Sequence, residues 1–277
     1  MELTVLVDNN SLIDRYFLAE PGLSFHINDD GHELLFDTGY SDIFIQNSLK
    51  MGLDLRAVKD VVISHGHLDH TWGLEPYIRR LNEAQFEDMG RLRPRLVAHP
   101  EAFASVLGEG ASEFGCQLSL DKLSKHFELH LSAEPLEITP NLLWLGEIPR
   151  KMDFENLQSL GRKEGSSGGD LVPDDSALVY KSSKGLIVIT GCSHAGICNI
   201  VEYAKEICKE SRVVDIIGGL HLMNPDPRQL AGTLQYIKDL KLGALHACHC
   251  TDLNSKVALS TVAEVQEVGV GLRLEYI

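Results

Sequence analysis

Basic residues are scarce in this chain: 25 Lys and Arg stand against 40 Asp and Glu, for a formal charge of −15. A surface that acidic repels phosphate backbones and argues against a nucleic-acid partner. Long apolar runs are absent as well. Gly185 to Thr190 is among the longest, far short of the roughly 20 residues that cross a bilayer, so no membrane partner is expected. The opening stretch from Met1 to Asp8 lacks the basic start of a signal peptide and reads as a strand, which places the chain in the cytoplasm. None of the six cysteines (Cys116, Cys192, Cys198, Cys208, Cys248, Cys250) forms a C-x-x-C pair. With no export signal, a disulfide framework is not expected. Aromatics are few, but apolar residues reach 44%, the balance of an ordinary soluble α/β protein. The 277 residues are enough to bury a large core in one domain spanning 1–277.

Periodicity orders the two ends of the chain better than its middle. Leu3 to Val7 reads as a strand, and Leu23 to Ile27 and Glu33 to Phe36 flank a turn ending in Gly31. A helix after Ser41 carries Ile43, Phe44 and Leu49 and stops at Gly52. Val58 to Ser64 is a compact apolar strand. From about 80 to 175 the pattern is less regular. A strand at Arg95 to Ala98, a short helix at Glu101 to Leu107 and a strand at Ile138 to Leu145 are predicted there. Residues 161–175 are rich in Gly and Ser and read either as a surface connection or as a lid. Order returns with a hairpin of Ala177 to Lys181 and Leu186 to Thr190, a helix bearing Ile200, Val201, Ala204 and Ile207, and a strand at Val213 to Ile217. A helix after Pro227, a strand at Leu245 to Ala247, a helix near 256–268 and a strand at Leu272 to Ile277 complete the chain. Residues 33–70 and 185–222 share one grammar: strand, Thr-Gly, helix, strand, histidine.

The chemistry concentrates in Ser64-His65-Gly66-His67-Leu68-Asp69-His70. Four nitrogen and oxygen donors within six residues suit zinc and its neighbours. In extended backbone His65, His67 and Asp69 share a face, and a turn after the strand lets His70 reach the same centre. Gly66 is read as backbone freedom for aiming two imidazoles. Cys198 and Cys208 sit in a helical pattern as small apolar residues. His26, His32, His126, His130 and His246 lack a partnering pattern and read as surface or core residues; His99, which follows a strand, is the best of the remainder but is also read as a non-ligand.

This histidine run, with Asp37-Thr38-Gly39 before it and Thr71-Trp72-Gly73 after it, resembles the metallo-β-lactamase superfamily over nearly the whole chain. The resemblance implies an α/β fold, a four-layer αββα sandwich with metals at one edge of the inner sheets. It implies that His65, His67 and a later histidine hold a first metal, and that Asp69, His70 and a C-terminal histidine hold a second. His194 and His249 are the later histidines, and Asp37 supports the ligands from behind. Many members carry Thr-Gly-Asp where this chain has Thr190-Gly191-Cys192. Either Cys192 bridges as a thiolate, or Asp175 supplies a carboxylate, or there is no protein bridge. His221 is a site residue as ligand, substrate contact or prop. The words GCSHAGI, IGGLHL and HCT resemble a subgroup whose assigned member joins a dihydropterin to a ribofuranosyl-aminobenzene phosphate, although Asp252 stands where that subgroup often has Gly.

The expected cofactor is therefore one or two divalent metal ions, zinc first, with manganese or iron as alternatives. Two close metals can lower the pKa of a shared water to about 7, and Asp69 and His221 are the candidate catalytic residues. The leading expectation is a metal-dependent hydrolase acting on a small-molecule ester, lactone or phosphate-bearing substrate. The alternatives are the pterin transferase and an iron redox protein on the same fold. The sequence does not disclose the oligomeric state.

Overall fold

Alternation along the strands decides the architecture. Leu34, Phe36, Val62 and Val97 point to one side of their sheet, whereas Leu35, Val61, Ile63, Leu96 and Ala98 point to the other, and all are buried. The same split occurs in the second sheet, with Leu178, Ile187, Ile189 and Ile217 on one face and Val179, Leu186, Val188 and Ile216 on the opposite one. A sheet apolar on both faces must be covered twice, since successive side chains leave a strand in opposite directions. The structure, a computed structural model, describes all residues except 91, 92, 109, 111 and 157.

The first sheet is formed by β1 (Glu2–Val7), β2 (Ser24–Asp29), β3 (His32–Phe36), β4 (Asp60–Val62), β5 (Arg95–Ala98), β7 (Glu128–Leu131) and β15 (Arg273–Glu275), in the order β15-β1-β2-β3-β4-β5-β7. The second is formed by β8 (Leu136–Glu137), β9 (Leu142–Trp144), β11 (Ala177–Ser182), β12 (Gly185–Thr190), β13 (Val213–Gly219) and β14 (Ala244–Cys248), in the order β14-β13-β12-β11-β9-β8. A small pair, β6 (Val106–Leu107) with β10 (Arg162–Lys163), lies outside both. Leu3, Phe25 and Phe36 of the first sheet meet Trp144, Leu178 and Ile189 of the second in the central layer. Phe44 of α1 (Ile43–Met51) and Tyr77 and Leu81 of α3 (Leu74–Phe86) cover the outer face of the first sheet. Ile200, Val201 and Ala204 of α5 (Ile197–Cys208) and Ile237 of α6 (Pro227–Leu240) cover the second. The αββα order follows. Short helices α2 (Leu68–Thr71), α4 (Leu120–Leu123) and α7 (Leu253–Leu259), with a 3-10 helix at Leu55–Ala57, complete the set among the described residues.

Both halves repeat one plan. The antiparallel pair β2-β3 leads through α1 into β4, parallel to β3, and then through α3 into β5, parallel to β4. The pair β11-β12 leads through α5 into parallel β13, and through α6 into parallel β14. Parallel strands end on one side, so β3, β4, β12, β13 and β14 all release their following loops at one edge of the sandwich.

Three local expectations are corrected. Residues 101–107 make a turn and then β6 rather than a helix, because the chain there pairs with β10. The run 138–145 is not one strand: Leu142 N–H bonds back to Thr139 O at 3.2 Å, making a turn that folds β8 onto β9. The last helix stops at Leu259, well short of 268, and Leu245 N–H instead takes the carbonyl of Glu264 at 2.9 Å. No helix among the described residues is long and apolar enough to cross a membrane.

Candidate metal centre

The loops at that edge carry strained backbone. Asp37, Ser193, His221 and His249 hold φ of 57°, 60°, 50° and 51°, a left-handed conformation costing about 1–3 kcal/mol for such residues and typical of functional sites. Each follows the C-terminal end of β3, β12, β13 or β14, and the bend turns side chains inward.

Hydrogen bonds orient the rings before any ligand is considered. Ser64 Oγ donates to Asp37 Oδ2 at 2.7 Å and lies 2.9 Å from His65 Nδ1. With its own proton spent on Asp37, the hydroxyl accepts from His65 Nδ1–H, which leaves His65 Nε2 as a bare lone pair. That nitrogen stands 3.1 Å from His67 Nδ1 and 3.1 Å from His194 Nε2. One lone pair cannot satisfy two neighbours, whereas a cation among the three can. Imidazoles on one tetrahedral zinc, at about 2.0–2.1 Å each, have nitrogens about 3.3 Å apart. His65 is held well below its ordinary pKa, by burial first and then by the neighbouring histidines, so this nitrogen stays unprotonated. The three histidines fit a metal.

A second cluster adjoins it. His70 Nδ1 lies 2.7 Å from Asp37 Oδ2, and His249 Nδ1 lies 3.0 Å from Asn9 Oδ1. Both rings thus donate from Nδ1 and present Nε2 to Asp69 Oδ2, at 3.7 and 3.3 Å. His249 Nε2 is buried and satisfies no hydrogen bond. Burial pulls His70 down, but the carboxylates of Asp69 and Asp37 outweigh it and raise its pKa to about 9. Between the clusters sits Cys192, its Sγ 3.3 Å from His70 Nε2. Its sulfur is within 4.8 Å of the donor atoms of Asp69, His70 and His249, and likewise of those of His65 and His194. Burial keeps this thiol well above its ordinary pKa without a cation.

The expected carboxylates fall differently. Asp175 is not gathered with these donor atoms: its Oδ2 accepts from Ala195 N–H at 2.8 Å, bracing the loop that carries His194. Burial pushes its pKa up to about 7. Asp174 is buried as well, and its Oδ2 accepts from Gly66 N–H at 2.9 Å. Gly66 is required for space rather than rotation, since a Cβ there would lie 2.1 Å from Ala102 O. The remaining histidines pair elsewhere: His246 with Asp215 at 2.9 Å, and His26 with Glu33 at 3.0 Å. His99 accepts from Glu101 N–H at 3.2 Å, outside both clusters.

Several supporting residues were not foreseen. Asp8 accepts from His249 N–H at 2.8 Å; with Asn9 it forms a polar pair directly after an apolar strand, a cue the sequence does contain. Buried Glu155 accepts from Cys198 and Asn199 N–H at 2.9 Å each, placing a carboxylate at the start of α5 where the helix dipole favours it. Nothing around Glu155 in the sequence announces this.

A cleft opens beside His194 and His221, whose ring centroids are 4.3 Å apart. Asn156, Gln158, Leu160 and Val172 form one wall and Met223, Asn224 and Gln229 another. No Lys or Arg lines it among the described residues. Ser166, Gly168 and Gly169 of the expected lid line a different hollow, with Arg150 and Lys163.

Comparison with known proteins agrees with this geometry. A Methanocaldococcus jannaschii protein named only as uncharacterized is 30% identical over 259 residues, 93% of either chain. The 7,8-dihydropterin-6-methyl-4-(beta-D-ribofuranosyl)-aminobenzene-5'-phosphate synthase of the same organism is 28% identical over 253 residues, 87% of this chain and 84% of that one. The crystal structure of a metal-dependent hydrolase of the beta-lactamase superfamily is 29% identical, with a TM-score of 0.81 and coverage of 99% of this chain and 98% of that one. A family model for the metallo-beta-lactamase superfamily matches residues 19–206, more than half of the sequence, and the chain belongs to that superfamily.

Proposed function

We propose that the protein is a metal-dependent hydrolase of a small ester or lactone, with divalent metals, zinc first, held by His65, His67 and His194 and by Asp69, His70 and His249. One observation carries this reading: bare imidazole nitrogens 3.1 Å apart converge at the border of a cleft. A divalent metal supplies Lewis acidity there and lowers the pKa of water. Asp69, 25% exposed between His70 and His249, holds a water and takes its proton in this reading. His221 meets the substrate at the cleft wall. Because no described cationic side chain lines the cleft, an ester or lactone suits it better than a group whose phosphate must be bound there. Metal analysis tests the assignment: His67→Ala and His249→Ala together should lose the metal that these six donors hold, and a metal content equal to that of the native protein overturns it. Hydrolysis of an ester and lactone panel that stops with chelator and returns with zinc tests the reaction.

The synthase relative favours a second reading. Its name describes the joining of a dihydropterin and a ribofuranosyl-aminobenzene phosphate, and its similarity extends over 87% of this chain. In that case the metals held by His65, His67, His194, Asp69, His70 and His249 would supply positive charge for a phosphate-type leaving group, and residues around His221 would exclude water instead of admitting it. Incubation with both partners decides: a coupled product supports transfer, and no product from them with chelator-sensitive hydrolysis of the ester and lactone panel supports the first reading.

A further inference from the structure

The geometry points to a third metal position, held by Cys192, Cys250 and His221 and suited to a thiophilic divalent cation of the zinc class. It goes beyond the reading above, because none of the six histidine and aspartate ligands assigned there takes part except through the neighbouring Cys192.

Three strand ends supply the donors: Cys192 follows β12, His221 follows β13 and Cys250 follows β14. Their donor atoms, two sulfurs and an imidazole nitrogen, all lie within 4.8 Å of one another. With zinc–sulfur bonds of about 2.3 Å and zinc–nitrogen bonds of about 2.0–2.1 Å, tetrahedral ligation needs sulfurs about 3.8 Å apart and nitrogen about 3.6 Å from each sulfur. A side-chain rotation of less than an ångström at each donor closes that difference.

The surroundings hold the group in place. Cys250 Sγ lies 3.3 Å from Cys192 O, and His221 N–H points at Cys250 Sγ from 3.2 Å. His221 Nδ1 is buried with no hydrogen-bond partner, so one imidazole nitrogen is left without a role by the protein alone. Gly219 makes the approach possible, since a Cβ there would sit 2.5 Å from Cys250 Sγ. Thiolate sulfur has lone pairs enough to bridge two metals, so Cys192 can serve the second metal and this one together. On binding, each thiol releases its proton to solvent and its lone pair forms the bond to the metal. Three protein donors leave a fourth place open, as catalytic zinc sites do. His221 lines the cleft, so a metal held there would lie beside it and could take over the substrate contact assigned to the His221 ring.

The protein contains its own control. Cys208, half-buried on α5 and free, belongs to no donor group. Protein stripped with chelator and then reloaded with zinc should be treated with iodoacetamide and mapped cysteine by cysteine. Cys250 should be protected at least tenfold by zinc and released again by chelator, with Cys208 reacting at one rate throughout. In a cobalt titration the native protein should take one more equivalent than Cys250→Ser and show a stronger thiolate-to-cobalt charge-transfer band. Unchanged alkylation of Cys250 with zinc overturns the proposal, and so does protection confined to Cys192. The alkylation readout uses the native chain and does not depend on the variant folding. Failure of the histidine centre is separately visible: His67→Ala with His249→Ala would then keep all its metal, whatever happens at Cys250.

Discussion

Asp37 Oδ2 stands 2.7 Å from His70 Nδ1 and 2.7 Å from Ser64 Oγ, so one buried carboxylate oxygen sets the ring orientation in both histidine clusters. It holds His70 directly and His65 through Ser64. Gly191 makes room for this arrangement, because a Cβ there would lie 2.1 Å from Ser64 Oγ and 3.0 Å from Asp37 Oδ2.

Asp37→Asn is therefore the informative change. Asn tolerates the left-handed φ of 57° that most residues resist, so the backbone should survive. Its amide can accept at one atom only, and the shared acceptor for His70 and Ser64 is weakened. Metal affinity should fall about 10–100-fold, in line with other supporting partners of metal-bound histidine. Competition against a chromogenic chelator measures this, and an unchanged affinity would show that the rings need no such support.

Much of this centre was legible in the sequence, for identifiable reasons. The run from His65 to His70 is local, and its donors stay within one turn of where their spacing puts them. His194 and His249 were readable because each closely follows an apolar strand and parallel strands deliver such residues to one edge. Asp174 and Asp175 are both buried, and each accepts from a backbone N–H. Neighbours in a loop look identical in sequence, and only the fold reveals that one faces Gly66 and the other Ala195. Cys250 stands out in the sequence only as a neighbour of His249; that Cys192 and His221, from two other loops, lie near it is visible in the fold alone.

Gly66 illustrates the same limit and gives a second prediction. Its sequence reading was rotational freedom, yet the structure requires it to admit the carbonyl of Ala102. Gly66→Ala should destabilise the protein by about 1–3 kcal/mol or more through overpacking against backbone. Gly168→Ala, whose Cβ would meet only Ser166 Oγ at 4.0 Å, should stay within about 0.5 kcal/mol. Paired denaturant titrations compare them, and equal midpoints would refute the steric account.

Metal should also stabilise the fold. Ligand at 100 times its Kd adds about 2.7 kcal/mol, and for a chain of this size about 2 °C accompanies each kcal/mol. Zinc added to stripped protein should raise Tm by about 5 °C, and His65→Ala with His194→Ala should abolish most of that rise. A rise that persists in the double variant would place the bound metal elsewhere.

The last prediction concerns what guards the cleft. The sequence reads the Gly- and Ser-rich run 161–175 either as a surface connection or as a lid. In the structure Asn156, Gln158, Leu160 and Val172 wall the cleft, while Ser166, Gly168 and Gly169 line another hollow. The two regions are joined by paired backbone: Leu160 N–H takes Asp170 O at 2.8 Å and Asp170 N–H takes Gly161 O at 2.9 Å. That clasp holds the ends of the 161–170 loop together, so shortening the loop beyond it should not move the wall. Replacing 165–169 with a shorter linker should leave KM and kcat within about twofold. Gln158→Ala removes an amide that lines the cleft, and loss of a ground-state contact raises KM with kcat little changed. Both are read in one kinetic assay on whichever substrate the ester and lactone panel identifies. If the shortened loop changes kcat and Gln158→Ala changes nothing, then the glycine-rich stretch is the gate after all and the wall is passive.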